Sequence, residues 1–238
     1  MPTMQLPMNP MNKFRSKRNA DMAAAYWGKS LDKPDWYRME TNGDNAEILI
    51  YDIIGWPFIE AEQFVRDLDK VTAKEILVRI NSPGGSVFEG MAIYNALKSH
   101  KARIVTRVDS LAASMASVIA LAGDEVQAYR NSMFMIHEPW GLAIGNQHEL
   151  REMADVFAKI NDNMCAIYAA KTGLSDANIR EMVKSDTYLK ASEALDKGFF
   201  DKIIDDNDDE PEAQARGFEM EALKVLPLAK QILNKFKE

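Results

Sequence analysis

The sequence predicts an α/β domain built on a mostly parallel sheet. Three observations carry that expectation. Apolar runs of strand length recur along the chain, at Ile48–Ile54, Ile76–Ile80, Ile104–Val108 and Val126–Tyr129. Between them lie segments of helical character, such as Ala61–Leu68 and Val87–Lys98. The joints are turn formers: Gly55 closes the first run, and the six residues "NSPGGS" (Asn81–Ser86) follow the second at once. Strand, turn and helix in repetition is the pattern of parallel strands joined by crossover helices.

The elements follow in order. Residues 1–44 read as an N-terminal extension, in which Met1, Met4, Met8 and Met11 alternate with Pro and Asn and Lys13, Arg15, Lys17 and Arg18 come without an acid. Such a segment has little to bury and is partly mobile by expectation, with Trp27, Trp36 and Tyr37 available for packing. The main domain is expected over residues 45–204. Helix Val87–Lys98 puts Met91, Tyr94 and Leu97 at helical spacing. Ala112–Ala122 reads as a further helix, and Met133–Ile136 as a short strand. Gln147–Ala170 is the longest helix candidate, because Leu150, Met153, Phe157, Ile160, Met164 and Ile167 repeat at steps of three and four. Lys171 and Gly173 close it with a cation and a glycine. Ser175 caps a shorter helix, Ala191–Lys197 forms another stopped by Gly198, and Phe199–Ile204 reads as a last strand. Over 205–238 the composition shifts to an acidic linker (Asp205, Asp206, Asp208, Asp209, Glu210, Glu212). A weakly amphipathic tail follows, with Leu223, Leu226, Ile232 and Phe236 interrupted by Pro227.

The bulk numbers exclude several classes. The 238 residues are 47% hydrophobic and 27% charged, which is ordinary for a globular protein. A formal charge of −7, from 29 basic against 36 acidic residues, argues against nucleic acid as a partner. Cys165 stands alone, so no intramolecular disulfide forms, which suits a reducing cytoplasm. No apolar run reaches the roughly 18 residues a bilayer demands, and the basic start is not followed by the apolar stretch of a secretory signal. No metal, cofactor or membrane partner is expected.

Four clusters carry chemistry. In "NSPGGS", two adjacent glycines permit unusual backbone conformations and leave amide N–H groups aimed into a cleft at a helix start, which suits an oxyanion. In "DSLAASMAS" (Asp109–Ser117), Ser114 falls at a helix start just past a strand end, where α/β enzymes place their sites, and the N–H of Met115 lies unsatisfied in the first turn. Ser110 and Ser117 are rivals for the same role. In "MFMIHEPWG" (Met133–Gly141), His137 ends an apolar strand ahead of Pro139 and Gly141, a rigid mount for a general base. His100 and His148 stand in polar settings. In "KSDTYLKASEAL" (Lys184–Leu195), Asp186 is placed to orient a histidine, with Asp176, Asp196 and Asp201 as alternatives.

Together, and in this order, the clusters resemble the Clp peptidase family, over a stretch from about Ile48 to Ile204. The resemblance rests on "SPGG" at Ser82–Gly85, "AASM" at Ala112–Met115, "MIH" at Met135–His137 and "SDTYLKASEALDKGFFD" at Ser185–Asp201. It implies a serine endopeptidase with Ser114 as nucleophile, His137 as base and Asp186 as orienting acid. It implies the amides of Gly85 and Met115 as oxyanion hole, and Gly84, Ser86 and Gly141 along a substrate bound as an added strand. It also implies an α/β fold of the crotonase and Clp type, with stacked sheets of repeated ββα units and a long protruding handle helix at Gln147–Ala170. The implied assembly is a homo-oligomer, a heptameric ring or stacked rings. Ser185 stands where the family usually has arginine, and Glu138 where it usually has glutamine. The wording "WYRME…AEILIYDIIGW" with its long extension is most like the phage branch of head-maturation (prohead) proteases, which act on capsid and scaffold proteins. A cytoplasmic peptidase subunit served by an unfolding ATPase is the alternative expectation, and an idle scaffold of the same fold is a third.

Overall fold

The computed structural model describes residues 37–55 and 59–204. The basic extension over 1–36, and the acidic linker and tail over 205–238, lie outside them.

The sheet opens with a hairpin. Strand β1 (Tyr37–Asn42) pairs antiparallel with β2 (Asn45–Ile50), Asn42 facing Asn45 across the turn. Residues 37–42 were expected in the extension; because their backbone completes the edge of β2, the sheet begins at Tyr37 instead of residue 45. Next come helix α1 (Ala61–Leu68), β3 (Glu75–Ser82), helix α2 (Val87–Ser99), β4 (Arg103–Ala113) and helix α3 (Met115–Ala120). They are followed by β5 (Glu125–Tyr129), β6 (Met133–Ile136), helix α4 (Gln147–Thr172) and helix α5 (Asp176–Lys184). Strand β7 (Thr187–Lys190), helix α6 (Ala191–Asp196) and β8 (Lys202–Ile204) complete the described chain.

Among the described residues eight strands join in one hydrogen-bonded set, ordered β1-β2-β3-β4-β5-β8, with β6 and β7 branching from β4. The pairs β2–β3, β3–β4, β4–β5, β5–β8 and β4–β6 are all parallel, as the alternation of strands and helices requires. Strict alternation in β3 buries Ile76, Val78, Ile80 and Ser82. Leu77 and Arg79 go to the other face, where Arg79 and the Tyr51 hydroxyl both donate to Asp109.

The fork at β4 positions the site. The first half of β4 pairs with β5, from Val105↔Glu125 to Val108↔Ala128. Its last residues, Leu111 to Ala113, instead pair with Met133 to Met135 of β6. A register shift between Ile80 and Ser82 accompanies the change on the β3 side. The helix expected over Ala112–Ala122 therefore starts only at Met115, because β6 captures Ala112 and Ala113 as strand. The strand expected over Ile48–Ile54 also stops early, at Ile50. There the side chain of Asp52 accepts from the N–H of Ile53 (2.6 Å) and the carbonyl of Asp52 accepts from Ser82 Oγ (2.6 Å), which takes the backbone out of the ladder.

Every residue of α3 is buried, so this short helix is the centre of the core. Helix α4 divides in two. Met164, Cys165 and Tyr168 of its C-terminal half are buried, whereas Leu150, Met153 and Val156 of its N-terminal half stand exposed. The apolar stripe of this helix thus packs on the domain only at its C-terminal end. No helix of the described residues is long and apolar enough to cross a membrane.

Candidate active site

Parallel pairing of β4 with β6 brings Ala113 beside Met135, and the chain then carries Ser114 and His137 off the ends of those strands. The N–H of Ser114 donates to the carbonyl of Met135 (2.9 Å), which holds the serine against the segment leading to His137. Antiparallel pairing of β6 with β7 ends on Ile136↔Thr187, so the next facing positions are His137 and Asp186. Two registers within one sheet therefore line up three residues that lie far apart in sequence. The N–H groups of Glu138 and Asp186 both donate to the carbonyl of Val183 (3.0 and 3.4 Å), which ties the flanks of that last pair to the end of α5.

The side chains follow this alignment at one end more closely than at the other. His137 Nε2 lies 2.7 Å from Ser114 Oγ, a hydrogen bond. His137 Nδ1 lies 3.7 Å from Asp186 Oδ1, which is an electrostatic contact and too long for a hydrogen bond. The imidazole is largely buried and the carboxylate of Asp186 is 53% exposed. Burial lowers the pKa of His137 below the usual histidine value, and the Asp186 charge pulls it back up in part. The lowered pKa favours the neutral ring, the form that is able to accept a proton.

Ser114 occupies a costly backbone conformation, φ 54° and ψ −125°. Although it stands at the N-cap of α3, its side chain makes no capping bond. Ser175, at the N-cap of α5, does what such serines ordinarily do and accepts from the N–H of Asn178 (3.3 Å). The Ser114 hydroxyl is turned out of the helix and given to the imidazole.

The glycine turn closes the other side. Ile54 N–H donates to the carbonyl of Gly84 (2.8 Å), and Ser86 N–H donates to the carbonyl of Ile54 (2.7 Å). In such a parallel bridge the middle residue, Gly85, aims its own N–H and C=O the opposite way, away from Ile54. A Cβ on Gly85 (φ 147°) would fall 2.0 Å from the carbonyl oxygen of Ile54. One on Gly84 (φ 93°) would fall 2.7 Å from Ser114 Cβ and 2.9 Å from the backbone nitrogen of Met115. Only glycines let this turn lie so close to the serine. The N–H groups of Gly85 and Met115 have no hydrogen-bond partner among the described residues.

Comparison with known proteins fits this arrangement. The model of the Clp protease family matches residues 61–207. The chain belongs to the Clp protease family. It is 34% identical over 167 residues to an ATP-dependent Clp protease proteolytic subunit of Ligilactobacillus salivarius (strain UCC118), a match spanning 69% of this chain and 79% of that one. It is 35% identical over 150 residues to ATP-dependent Clp protease proteolytic subunit 1 of Prochlorococcus marinus (strain MIT 9312), spanning 62% of this chain and 73% of that one. The relatives are Clp proteolytic subunits, and the phage branch suggested by the opening of the domain has no counterpart in these matches.

Within this Clp-family chain the remaining candidates sort by position. Ser110 is exposed on β4. His100 follows α2 and accepts from the N–H of Ala102 (3.1 Å), and His148 lies in the exposed first turn of α4. Asp176 pairs with Arg180, and Asp201 binds Lys171 and the N–H of Val126, so both are engaged structurally. Asp196 ends α6. Gly141 lies in the exposed segment after His137, where a Cβ would meet the ring of Phe157 at 2.7 Å. Ser185, where arginine was the family expectation, is exposed beside Asp186.

Sequence reasoning passed over several supporting residues. Buried Ser82 donates to the carbonyl of Asp52 (2.6 Å) and accepts from Gly84 N–H (3.1 Å), bracing the turn from below. Gly90 of α2 leaves room for the Met115 side chain, since a Cβ there would fall 2.1 Å from Met115 Cγ. Ser117, weighed only as a rival nucleophile, hydrogen-bonds both Ser114 and Tyr168. No motif signals these residues, because each acts by filling or bracing a place that only the fold creates.

Proposed function

We propose that this chain is a serine endopeptidase in which Ser114, His137 and Asp186 act together. The observation that carries the proposal is the 2.7 Å bond between His137 Nε2 and a serine hydroxyl withheld from helix capping. Ser114 Oγ attacks the carbonyl carbon of a peptide bond while His137 Nε2 takes its proton. The oxygen anion that forms is held by the N–H groups of Gly85 and Met115. His137 returns the proton to the leaving amine, and water releases the acyl group by the same route. Asp186 orients the imidazole and stabilises its charged form.

The outward N–H and C=O of Gly85 support binding of the substrate as an added strand, which recognises main chain and tolerates many sequences. Gly84 and Ser86, whose own main-chain groups are engaged by Ile54, shape that edge, and Gly141 is assigned to the same bound strand by the family resemblance alone. Exposed Leu150, Met153 and Val156 on α4, with Trp140, Leu142 and Ile144 before it, support the pairing of two rings through this face. The names of the matched relatives support a proteolytic subunit fed by an ATPase partner. The extension and opening wording support the head-maturation role expected from sequence.

The test is labelling with a fluorophosphonate probe together with hydrolysis of an unfolded protein. Labelling of wild type and none of Ser114→Ala is expected; an unlabelled wild type in every oligomeric state refutes the proposal. Substrate supply is decided separately. Acceleration of hydrolysis by a co-purifying ring ATPase speaks for the subunit role, and Ser114-dependent cleavage of the capsid protein of its own genome speaks for maturation.

A further inference from the structure

We propose that Ser117 and Tyr168 are positioning residues that aim and strengthen the Met115 N–H through the peptide unit it shares with Ser114. The inference rests on the reading of that N–H as an oxyanion donor. The carbonyl of Ser114 belongs to the same peptide unit as the Met115 nitrogen, and in a planar trans peptide the N–H points opposite to the C=O. Whatever fixes the direction of one fixes the other.

That carbonyl is held twice. It accepts from the N–H of Ser117 at 3.0 Å and from Ser117 Oγ at 2.5 Å. Ser117 Oγ also lies 2.8 Å from the hydroxyl of Tyr168. A serine hydroxyl has one proton, and this one is committed to the Ser114 carbonyl, so Tyr168 must donate to Ser117. The bonds run in one direction, from Tyr168 O–H to Ser117 O–H to the Ser114 carbonyl. Each bond polarises the next, and a carbonyl polarised this way makes the N–H of its own peptide a better donor. Ser117 and Tyr168 are both fully buried, and burial raises the Tyr168 pKa, so the tyrosine keeps its proton.

The anchoring also accounts for the backbone of Ser114. A residue at φ 54° and ψ −125° persists only where its surroundings over-determine it, and here its N–H and its carbonyl are both bound. The outermost member of the chain sits on α4, whose N-terminal half is exposed. Helix α4 thus reaches the peptide unit of Ser114 and Met115 through the Tyr168 hydroxyl and Ser117.

A purely structural role would leave the two hydroxyls satisfying one another in the core and nothing more. Tyr168→Phe, Ser117→Ala and the double variant separate the possibilities in the full chain. The readouts are kcat and KM on a peptide substrate, fluorophosphonate labelling rate and Tm. Tyr168→Phe is expected to lower kcat and labelling rate roughly threefold to tenfold with KM unchanged, a fraction of the roughly 10²–10³ that loss of a whole oxyanion donor costs. Ser117→Ala is expected to cost about tenfold or more, and the double variant no more than Ser117→Ala, because the tyrosine acts only through the serine. Unchanged kcat in Tyr168→Phe, whether or not Tm falls, overturns the proposal, as do multiplicative losses in the double variant. A wild type that is neither labelled nor active overturns the reading of the site itself, whereas a labelled wild type with unaltered variants overturns only the hydrogen-bond chain.

Discussion

The two ends of the Ser114–His137–Asp186 line are built differently. At the serine end the hydrogen bond is 2.7 Å, the neighbours are fully buried, and a core helix, two strands and the glycine turn fix the backbone. At the aspartate end the separation is 3.7 Å, and the carboxylate sits half in water on the turn between α5 and β7. The serine end is a product of the hydrophobic core. The aspartate end hangs on few backbone contacts, chiefly the shared carbonyl of Val183 at the end of α5. On the proposed roles, such an arrangement holds the nucleophile ready and leaves the orientation of the base open to adjustment by whatever covers that surface.

Substitutions at the serine end have the largest expected effect. Ser114→Ala is expected to lower kcat by roughly 10⁵–10⁶ with Tm little changed, since alanine keeps the same backbone conformation and the hydroxyl makes no capping bond. Next comes the turn. Gly85→Ala sets a methyl 2.0 Å from the Ile54 carbonyl, so a loss of about 10²–10³ in kcat/KM and a fall in Tm are expected. Wild-type activity in that variant would break the claim that the turn is rigid.

The aspartate end should be more forgiving. Asp186→Asn is expected to cost about 10–10² in kcat, less than the roughly 10⁴ of a tightly bonded triad. A loss of 10⁴ would mean that the contact closes in the working assembly, and would remove the contrast between the ends. The pH profile sharpens the same point. With His137 as the proposed base, activity requires its neutral form, and burial lowers its pKa, so the rising limb should lie below the usual histidine value of about 6.5. Asp186 opposes that shift, so Asp186→Asn should move the limb lower still. An upward move contradicts the assignment. Glu138→Gln, which disturbs only a 3.3 Å contact with Asn161 near the surface, should change kcat/KM by less than about twofold.

Much of this arrangement was legible in the residues. The strands and helices of the α/β core, the helix at Ala61–Leu68 and the strand at Met133–Ile136 follow from apolar spacing, which local physics controls. Ser114, His137 and Asp186 stood out through residue type and setting, and the structure brings them into line. The end of β4 was not legible. Ala112 and Ala113 have strong helix propensity, and only pairing with β6 makes them strand. Residues 37–42 looked like part of an extension because their polar sequence hides a pairing that exists only beside β2.

By itself the sequence determined the fold class, the order of the elements and the chemistry available, since periodicity, turn residues and nucleophile or base types are properties of short stretches. The tertiary structure decided the rest. It alone sets which of several serines faces a histidine, because that depends on two strand registers meeting at β6. It alone shows that Ser117 and Tyr168, 51 residues apart, stand behind Ser114, because burial and hydrogen-bond direction arise only when distant segments share one core. The same holds for the looseness at Asp186: sequence supplies a carboxylate, and distance and solvent determine how firmly it holds its histidine.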